Sequence, residues 1–242
     1  MSEKVLVIAP HGDDEVLGVG ATIAKHAKEG DSVFVCVVTG GKPAVRHRGG
    51  IEKIEENAEK YRQLADNETT RIIRKEAFRA HDILGVTCSY FLGFQAVHLE
   101  TVEKYKINKA ILDCILKIQP DVVYIPHVGD IHIDHQLVAN AAMVALRPCS
   151  GGQCTRIYAY ETLSETEWGY AEAADSFSPN VWNDVSNFLS LKLEAMSCYQ
   201  SQLKTFPHPR SLEALKALAL FRGSNMGMRE AEAFRLVRFV SK

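Results

Sequence analysis

The sequence predicts an α/β domain built on a mostly parallel β-sheet with helices on both faces. Unbroken apolar runs such as VLVIAP and SVFVCVVT alternate along the chain with segments of helical periodicity. Strands buried on both faces have this near-continuous apolar pattern, and strand–helix alternation is typical of a parallel sheet. The chain shows no internal repeat and no low-complexity linker, so we expect one domain over residues 1–242.

The predicted elements follow one another in a regular order. Strands are predicted at residues 5–10, 32–39, 89–94, 121–127, 156–162 and 179–185. Helices are predicted at residues 16–29, 69–84, 101–118, 134–146, 186–203 and 211–222, the first two each followed by a glycine C-cap signal. Residues 40–68 are polar without a strong apolar period, which indicates a long loop with some helix, either a lid or an oligomer contact. Residues 233–240 form an ambiguous short element.

Composition excludes several classes of protein. The formal net charge of −2 provides no basic excess for a phosphate backbone, so nucleic-acid binding is disfavoured. The apolar runs are far shorter than the roughly 20 residues that a membrane helix needs. The N-terminal residues do not have the pattern of a signal peptide, and the six scattered cysteines are typical of free thiols. We therefore expect a cytoplasmic protein without an integral membrane segment.

The first motif with chemical content is Pro10-His11-Gly12-Asp13-Asp14-Glu15, between the first strand and the first helix. His11 and Asp14, three residues apart across a glycine turn, can converge on one metal ion. The side chain of Asp13 diverges from that point and leaves a carboxylate available as a general base. Acidic residues also stabilise helix N-termini, but capping does not account for the histidine.

The second motif runs from His127 to His135, directly after the predicted strand 121–127. Three of the nine histidines and two aspartates fall within these nine residues. The pair Asp134-His135 indicates a carboxylate that orients a ligand or a catalytic imidazole. Two histidines and an aspartate plus water would form the open coordination of catalytic zinc, although iron(II), cobalt(II) and nickel(II) also accept such ligands.

A dinucleotide site is the competing interpretation of the first helix, because Gly18 and Gly20 resemble the start of a G-x-G-x-x-G fingerprint. The third glycine of that pattern is replaced by Ile23. The three consecutive carboxylates also lie where a pyrophosphate would dock, and like charges oppose it. The glycines are better explained by close packing of the helix on the sheet.

Both motifs resemble those of the LmbE-like, or PIG-L, zinc-dependent N-deacetylases. The family motif His-Pro-Asp-Asp-Glu is matched by residues 11–15, and His-x-Asp-His is matched by residues 132–135. Later stretches such as YETLSETEWG and FPHPRSLEAL are similar to bacterial members associated with sugar and surface-polysaccharide biosynthesis. The resemblance implies a Rossmann-like fold, an N-acetylated amino sugar or its conjugate as the substrate, and a homo-oligomer.

The resemblance also implies a role for each matched residue. The implied zinc ligands are His11, Asp14 and His135. Asp13 would be the general base and then the acid, His132 would stabilise the oxyanion, and Asp134 would support His132 or a ligand. Gly12 stands where the family usually has proline, which puts the rigidity of the loop in doubt more than the metal site.

Substrate contacts are predicted on weaker signals. Arg74 lies in a predicted helix, Glu161 ends a predicted strand, and His208 and Arg210 lie in a loop fixed by prolines. Solvated arginines and a surface turn are the alternatives for these positions. For the whole chain, hydrolysis of another amide or ester and a metal-binding member without deacetylase activity also stay open.

Overall fold

A computed structural model describes residues 2–54, 67–151, 154–170 and 176–241. The strands are β1 (Lys4–Ala9), β2 (Ser32–Thr39), β3 (Ala44–His47), β4 (Lys53–Ile54), β5 (Cys88–Phe94), β6 (Val122–Pro126), β7 (Arg156–Tyr160), β8 (Val181–Asp184) and β9 (Ala231–Phe239). They form one nine-stranded sheet in the order β4-β3-β5-β2-β1-β6-β7-β9-β8. Only β3 and β9 run against the direction of the other described strands.

Helices cover both faces of the sheet. They are α1 (Asp14–Glu29), α2 (Glu68–Leu84), α3 (Lys104–Ile118), α4 (Ile133–Ala145), α5 (Leu189–Cys198) and α6 (Leu212–Ser224). Side chains alternate along β1, so that Leu6 and Ile8 pack with α3 and α4, whereas Val5 and Val7 pack with the other four helices. Across the described ranges, none of the helices is both long enough and apolar enough to cross a bilayer.

The prediction of a mostly parallel α/β sheet between two helical layers is confirmed, and the differences lie at the margins. Residues 40–54 contain the antiparallel strands β3 and β4 instead of a plain loop, and residues 55–66 lie outside the described residues. The ambiguous element at the C-terminus is β9. Its first half is buried and its second half is largely exposed, so neither the strand period nor the helix period dominates its sequence. The predicted helix 186–203 is shorter, because α5 ends at Cys198 and turns follow.

The order of the parallel strands creates the crevice that the motifs require. The chain builds outward from β1 through β2 to β5, and then returns to place β6 and β7 on the other side of β1. Ligands of such doubly wound sheets bind at the carboxyl ends of the strands, where the winding reverses. That point lies between β1 and β6, the two strands that precede the two motifs. The topology therefore brings residues 11–15 and 127–135 together.

Candidate metal centre

Three side chains from the two motifs converge in this crevice. His11 Nδ1 lies 3.3 Å from Asp14 Oδ2, and His135 Nε2 lies 3.2 Å from the same oxygen. One ligand atom from each of the three residues can be chosen so that all lie within 4.8 Å of one another. Asp14 begins α1 and His135 lies in the first turn of α4, so two helix starts hold the cluster in place.

The atoms of this cluster fit a metal ion better than they fit one another. His135 Nε2 and Asp14 Oδ1 are buried, yet neither has a hydrogen-bond partner among the described residues. Unpaired buried polar atoms are costly, and native proteins usually satisfy them. Two nitrogens and a carboxylate oxygen around one point are a donor set that suits zinc and other divalent first-row metals. The residues present therefore fit a bound divalent cation.

Two buried carboxylates orient the imidazole rings from behind. Asp134 Oδ2 lies 2.9 Å from His11 Nε2, and Asp130 Oδ2 lies 2.8 Å from His135 Nδ1. Each ring donates to its carboxylate, which leaves the opposite nitrogen with a lone pair directed at the cluster. The hydroxyl of Thr166 donates to the other oxygen of Asp130 at 2.6 Å. In the neutral form of each ring, the nitrogen that faces the centre is thus an acceptor.

The charges of the metal-free cluster are strongly coupled. Burial opposes the imidazolium of His11, but hydrogen bonds to Asp134 and Asp14 outweigh it and raise the pKa to about 9. Burial likewise opposes the charge on His135, but Asp14 and Asp130 raise its pKa to about 10. Burial also opposes ionisation of Asp14, yet His135 and His11 hold its pKa well below the usual range. These shifts favour protonated rings of His11 and His135 around an ionised Asp14 when no metal is bound.

Asp13 is held beside the cluster but outside it. It adopts φ 142° and ψ −27°, a region that non-glycine residues rarely occupy. Its Oδ2 is buried, lies 3.2 Å from Nη1 of Arg210, and accepts no hydrogen bond within the described ranges. Burial and the adjacent Asp14 raise the pKa of Asp13 to about 8, against the opposing effect of Arg210. Asp13 therefore keeps one oxygen that accepts no hydrogen bond from the described residues and has only the Arg210 ion pair beside it.

His132 faces the cluster from the start of α4. Its ring centroid lies 4.8 Å from that of His11 and 5.4 Å from that of His135. Its Nδ1 accepts the backbone N–H of Asp134 at 3.0 Å, so a neutral ring carries its proton on Nε2. Burial and the two neighbouring histidines lower the pKa of His132 and favour that neutral form. The neutral ring of His132 therefore offers one hydrogen-bond donor, Nε2–H, beside the rings of His11 and His135.

One of the four predicted substrate contacts touches a residue of this centre. Arg210 approaches Asp13 and also binds Ser164 and Glu165. The Nδ1 of His208 accepts the backbone N–H of Arg210 at 3.0 Å, so His208 is linked to the centre through Arg210.

Arg74 and Glu161 are engaged elsewhere. The guanidinium of Arg74 binds the carbonyl oxygens of Gly40 and Lys42 and the carboxylate of Glu52. Glu161 forms a bidentate ion pair with Arg222 at 2.8 and 2.6 Å. Their role in substrate binding stays a prediction.

Sequence reasoning gave no role to two residues of the centre. Asp130 was visible within the second motif, five residues before His135, and that spacing was the signal that a carboxylate could reach the ring. Thr166 carried no local signal, because it lies 36 residues from the carboxylate to which it donates.

Comparisons with known proteins identify the family of the chain. The family model described as PIG-L, GlcNAc-PI de-N-acetylase, matches residues 6–146. A probable N-acetyl-alpha-D-glucosaminyl L-malate deacetylase 2 of Bacillus anthracis is 26% identical, over 83% of this chain and 82% of its own length. The uncharacterized deacetylase YaiS of Escherichia coli is 30% identical, over 81% of this chain and 90% of its own.

Among solved structures, the N,N'-diacetylchitobiose deacetylase of Pyrococcus horikoshii superimposes with a TM-score of 0.72 at 25% identity. That match covers 98% of this chain and 84% of the other. The family match extends over more than half of the chain and includes both motifs. The chain belongs to the PIG-L family.

Proposed function

We propose that the protein is a zinc-dependent hydrolase that removes the acetyl group from an N-acetylated amino sugar or its conjugate. The observation that carries the proposal is the set of unpaired buried ligand atoms on Asp14 and His135, beside the open carboxylate of Asp13. Membership of the PIG-L family and the named activities of its relatives support an N-acetyl amide as the bond that is cleaved.

His11, Asp14 and His135 would hold the ion, and Asp134 and Asp130 would keep the two rings in the ligating tautomer. Three protein ligands with an open position are the usual arrangement of catalytic zinc. When bound, the ion would act as a Lewis acid on the acetamide carbonyl and would lower the pKa of a water molecule.

Two side chains of the protein transfer the proton and stabilise the developing negative charge. Asp13 accepts a proton from the attacking water through its open Oδ2 and later returns it to the amide nitrogen as the C–N bond breaks. His132 donates its Nε2–H to the carbonyl oxygen while negative charge develops there. Water and the amide are thus converted to acetate and a free amine.

Arg210 and His208 support the substrate end of this proposal. Arg210 lies against Asp13, where it can meet a polar group of the sugar without entering the metal cluster. The prolines flanking His208 hold its loop, and its hydrogen bond with the N–H of Arg210 leaves the proton of a neutral ring on Nε2.

Acetate release from a pool of N-acetylated amino sugars, their conjugates and matched acetate esters tests the function. Protein treated with a chelator should be inactive, and zinc or another divalent ion should restore release from amides. Asp13→Asn should retain the metal and lose most turnover, whereas His135→Ala should lose the metal. Asp82→Asn is the control, because Asp82 binds Arg46 at 2.6 Å and belongs to none of the candidate metal-ligand groups among the described residues.

Two results would overturn the proposal. One is turnover that persists in a protein shown to contain no metal. The other is release from esters alone by metal-loaded protein, which would replace the amide by another bond.

A further inference from the structure

One buried acid of the first motif has no part in the proposed chemistry. Glu15 is fully buried in the first turn of α1, immediately beneath Asp13 and Asp14. An acid can stabilise a helix N-terminus from the protein surface. Burying its charge costs on the order of several kcal/mol, so helix capping alone does not explain a buried acid. Its position inside the protein therefore requires another explanation.

Three donors from separate parts of the chain converge on the Glu15 carboxylate. Oε2 accepts the backbone N–H of Asp13 at 3.1 Å. Oε1 accepts the hydroxyl of Tyr199 and lies 3.2 Å from His81 Nε2. The other ring nitrogen of His81 lies 2.7 Å from the hydroxyl of Ser89, which anchors the ring from the sheet. Glu15 is thus tied to α2, to β5 and to the turn that follows α5.

The bond from Glu15 reaches the backbone of Asp13, whose φ of 142° is unusual for a non-glycine residue. Helix N-caps usually accept a hydrogen bond with their own side chain, but Asp13 makes no such bond. Its carbonyl accepts the N–H groups of Val16 and Leu17 at 3.0 and 2.9 Å, while its N–H is taken by Glu15. Anchors on both sides therefore hold φ at 142° and leave the Asp13 side chain available at the crevice.

We propose that Glu15 is a positioning residue, which holds the backbone of Asp13 so that its carboxylate faces the reacting water. This inference rests on the proposed role of Asp13 as the base. This role requires one oxygen that accepts the Asp13 N–H, and the contacts with Tyr199 and His81 hold the side chain that carries it in place. Asp14 is held separately, since its Oδ2 accepts the N–H of His11 at 2.9 Å.

A pair of variants separates positioning from simple folding. Glu15→Gln can still accept the Asp13 N–H through its carbonyl oxygen, while its amide NH2 faces His81, whose tautomer can change, and Tyr199, whose hydroxyl can turn to accept. Glu15→Met fills a similar volume and has no such acceptor. We expect Glu15→Gln to keep most of the wild-type kcat and Glu15→Met to lose about 100-fold, the effect typical of a misplacement of about 1 Å. KM and zinc affinity should change little in both.

Two further measurements make the test independent of stability. In the Asp13→Asn background, Glu15→Met should cause little additional loss of kcat, because the group that it positions is already disabled. Crystal structures of the metal-free variants should show Asp13 at its native φ in Glu15→Gln and displaced in Glu15→Met. The crystal structures report the position of Asp13 even if the wild-type protein releases no acetate. Failure of the proposed function can therefore be distinguished from failure of the proposed role of Glu15.

Three results would overturn the inference. They are an unchanged φ of Asp13 in Glu15→Met, equal losses of kcat in the methionine and glutamine variants, and a loss that adds in full to that of Asp13→Asn.

Discussion

Replacing Asp130 by alanine is expected to weaken metal binding, although Asp130 is not among the proposed ligands. Its carboxylate is fully buried, accepts from His135 Nδ1 at 2.8 Å and is held by Thr166 at 2.6 Å. Without it, the ring of His135 loses the bond that directs Nε2 to the centre. The proton of the neutral ring is then no longer confined to Nδ1.

The magnitude follows from what each substitution removes. Loss of a carboxylate behind a ligating histidine costs about 10- to 100-fold in metal affinity. That range corresponds to about 1.4 to 2.7 kcal/mol. Asp130→Asn retains an oxygen that can accept from the ring and loses only the charge, so we expect the lower end. Thr166→Val leaves the carboxylate on His135 and should have a smaller effect still.

Competition with a chromophoric chelator at fixed pH measures these affinities directly. Asp82→Ala serves as the control, because it removes a half-buried carboxylate from Arg46, which it binds at 2.6 Å, and Asp82 belongs to none of the candidate metal-ligand groups among the described residues. The reasoning is refuted if Asp130→Ala binds zinc as tightly as the wild type does. It is also refuted if the control weakens binding to the same extent.

Three further predictions concern other parts of the site. In the metal-free protein the pKa values of His11 and His135 are raised from 6.5 to about 9 and about 10. Their contribution to the free energy of unfolding is therefore full below pH 6.5 and is lost as the pH rises through the raised values. Zinc binding near neutral pH should therefore release about two protons, measurable by calorimetry in buffers of different ionisation enthalpy. A Cβ at Gly12 would lie 3.1 Å from Ile73 Cγ2, so Gly12→Ala should cost about 1 kcal/mol of unfolding free energy and less in an Ile73→Ala background, by chemical denaturation. Glu161→Gln should lower stability by about 1 to 3 kcal/mol through its pair with Arg222 while leaving KM unchanged, and a raised KM would instead support substrate contact.

The positions of both motifs could be predicted because they depend on local rules. Each motif follows an apolar strand, and strand ends in a parallel sheet are where ligands bind. What the sequence could not indicate is which carboxylate serves which ring. Asp134 adjoins His135 in sequence, yet it turns to His11, 123 residues away, and Asp130 serves His135 instead. That choice depends on the packing of α4 against β1, which no local pattern encodes.

The predicted substrate contacts show a second limit. A charged residue at the end of a strand or within a helix has many possible partners, and its local pattern does not select among them. Glu161 pairs with Arg222, 61 residues later, and Arg74 binds backbone carbonyls 34 and 32 residues earlier. Arg210 could be singled out because prolines hold its loop, and the structure places it against Asp13.

The proposed ligands all precede residue 136, within the stretch that the family model matches, whereas Arg210 comes from the part of the chain beyond it. Substitution of Arg210 can change the groups beside Asp13 without altering any of the three ligating side chains, although Thr166 and Tyr199 of the same later part support Asp130 and Glu15. The two parts can thus diverge at different rates during evolution. A chimera that joins residues 1–146 of this chain to the C-terminal part of a relative, with Thr166 and Tyr199 retained, should keep its metal and acquire a different substrate preference.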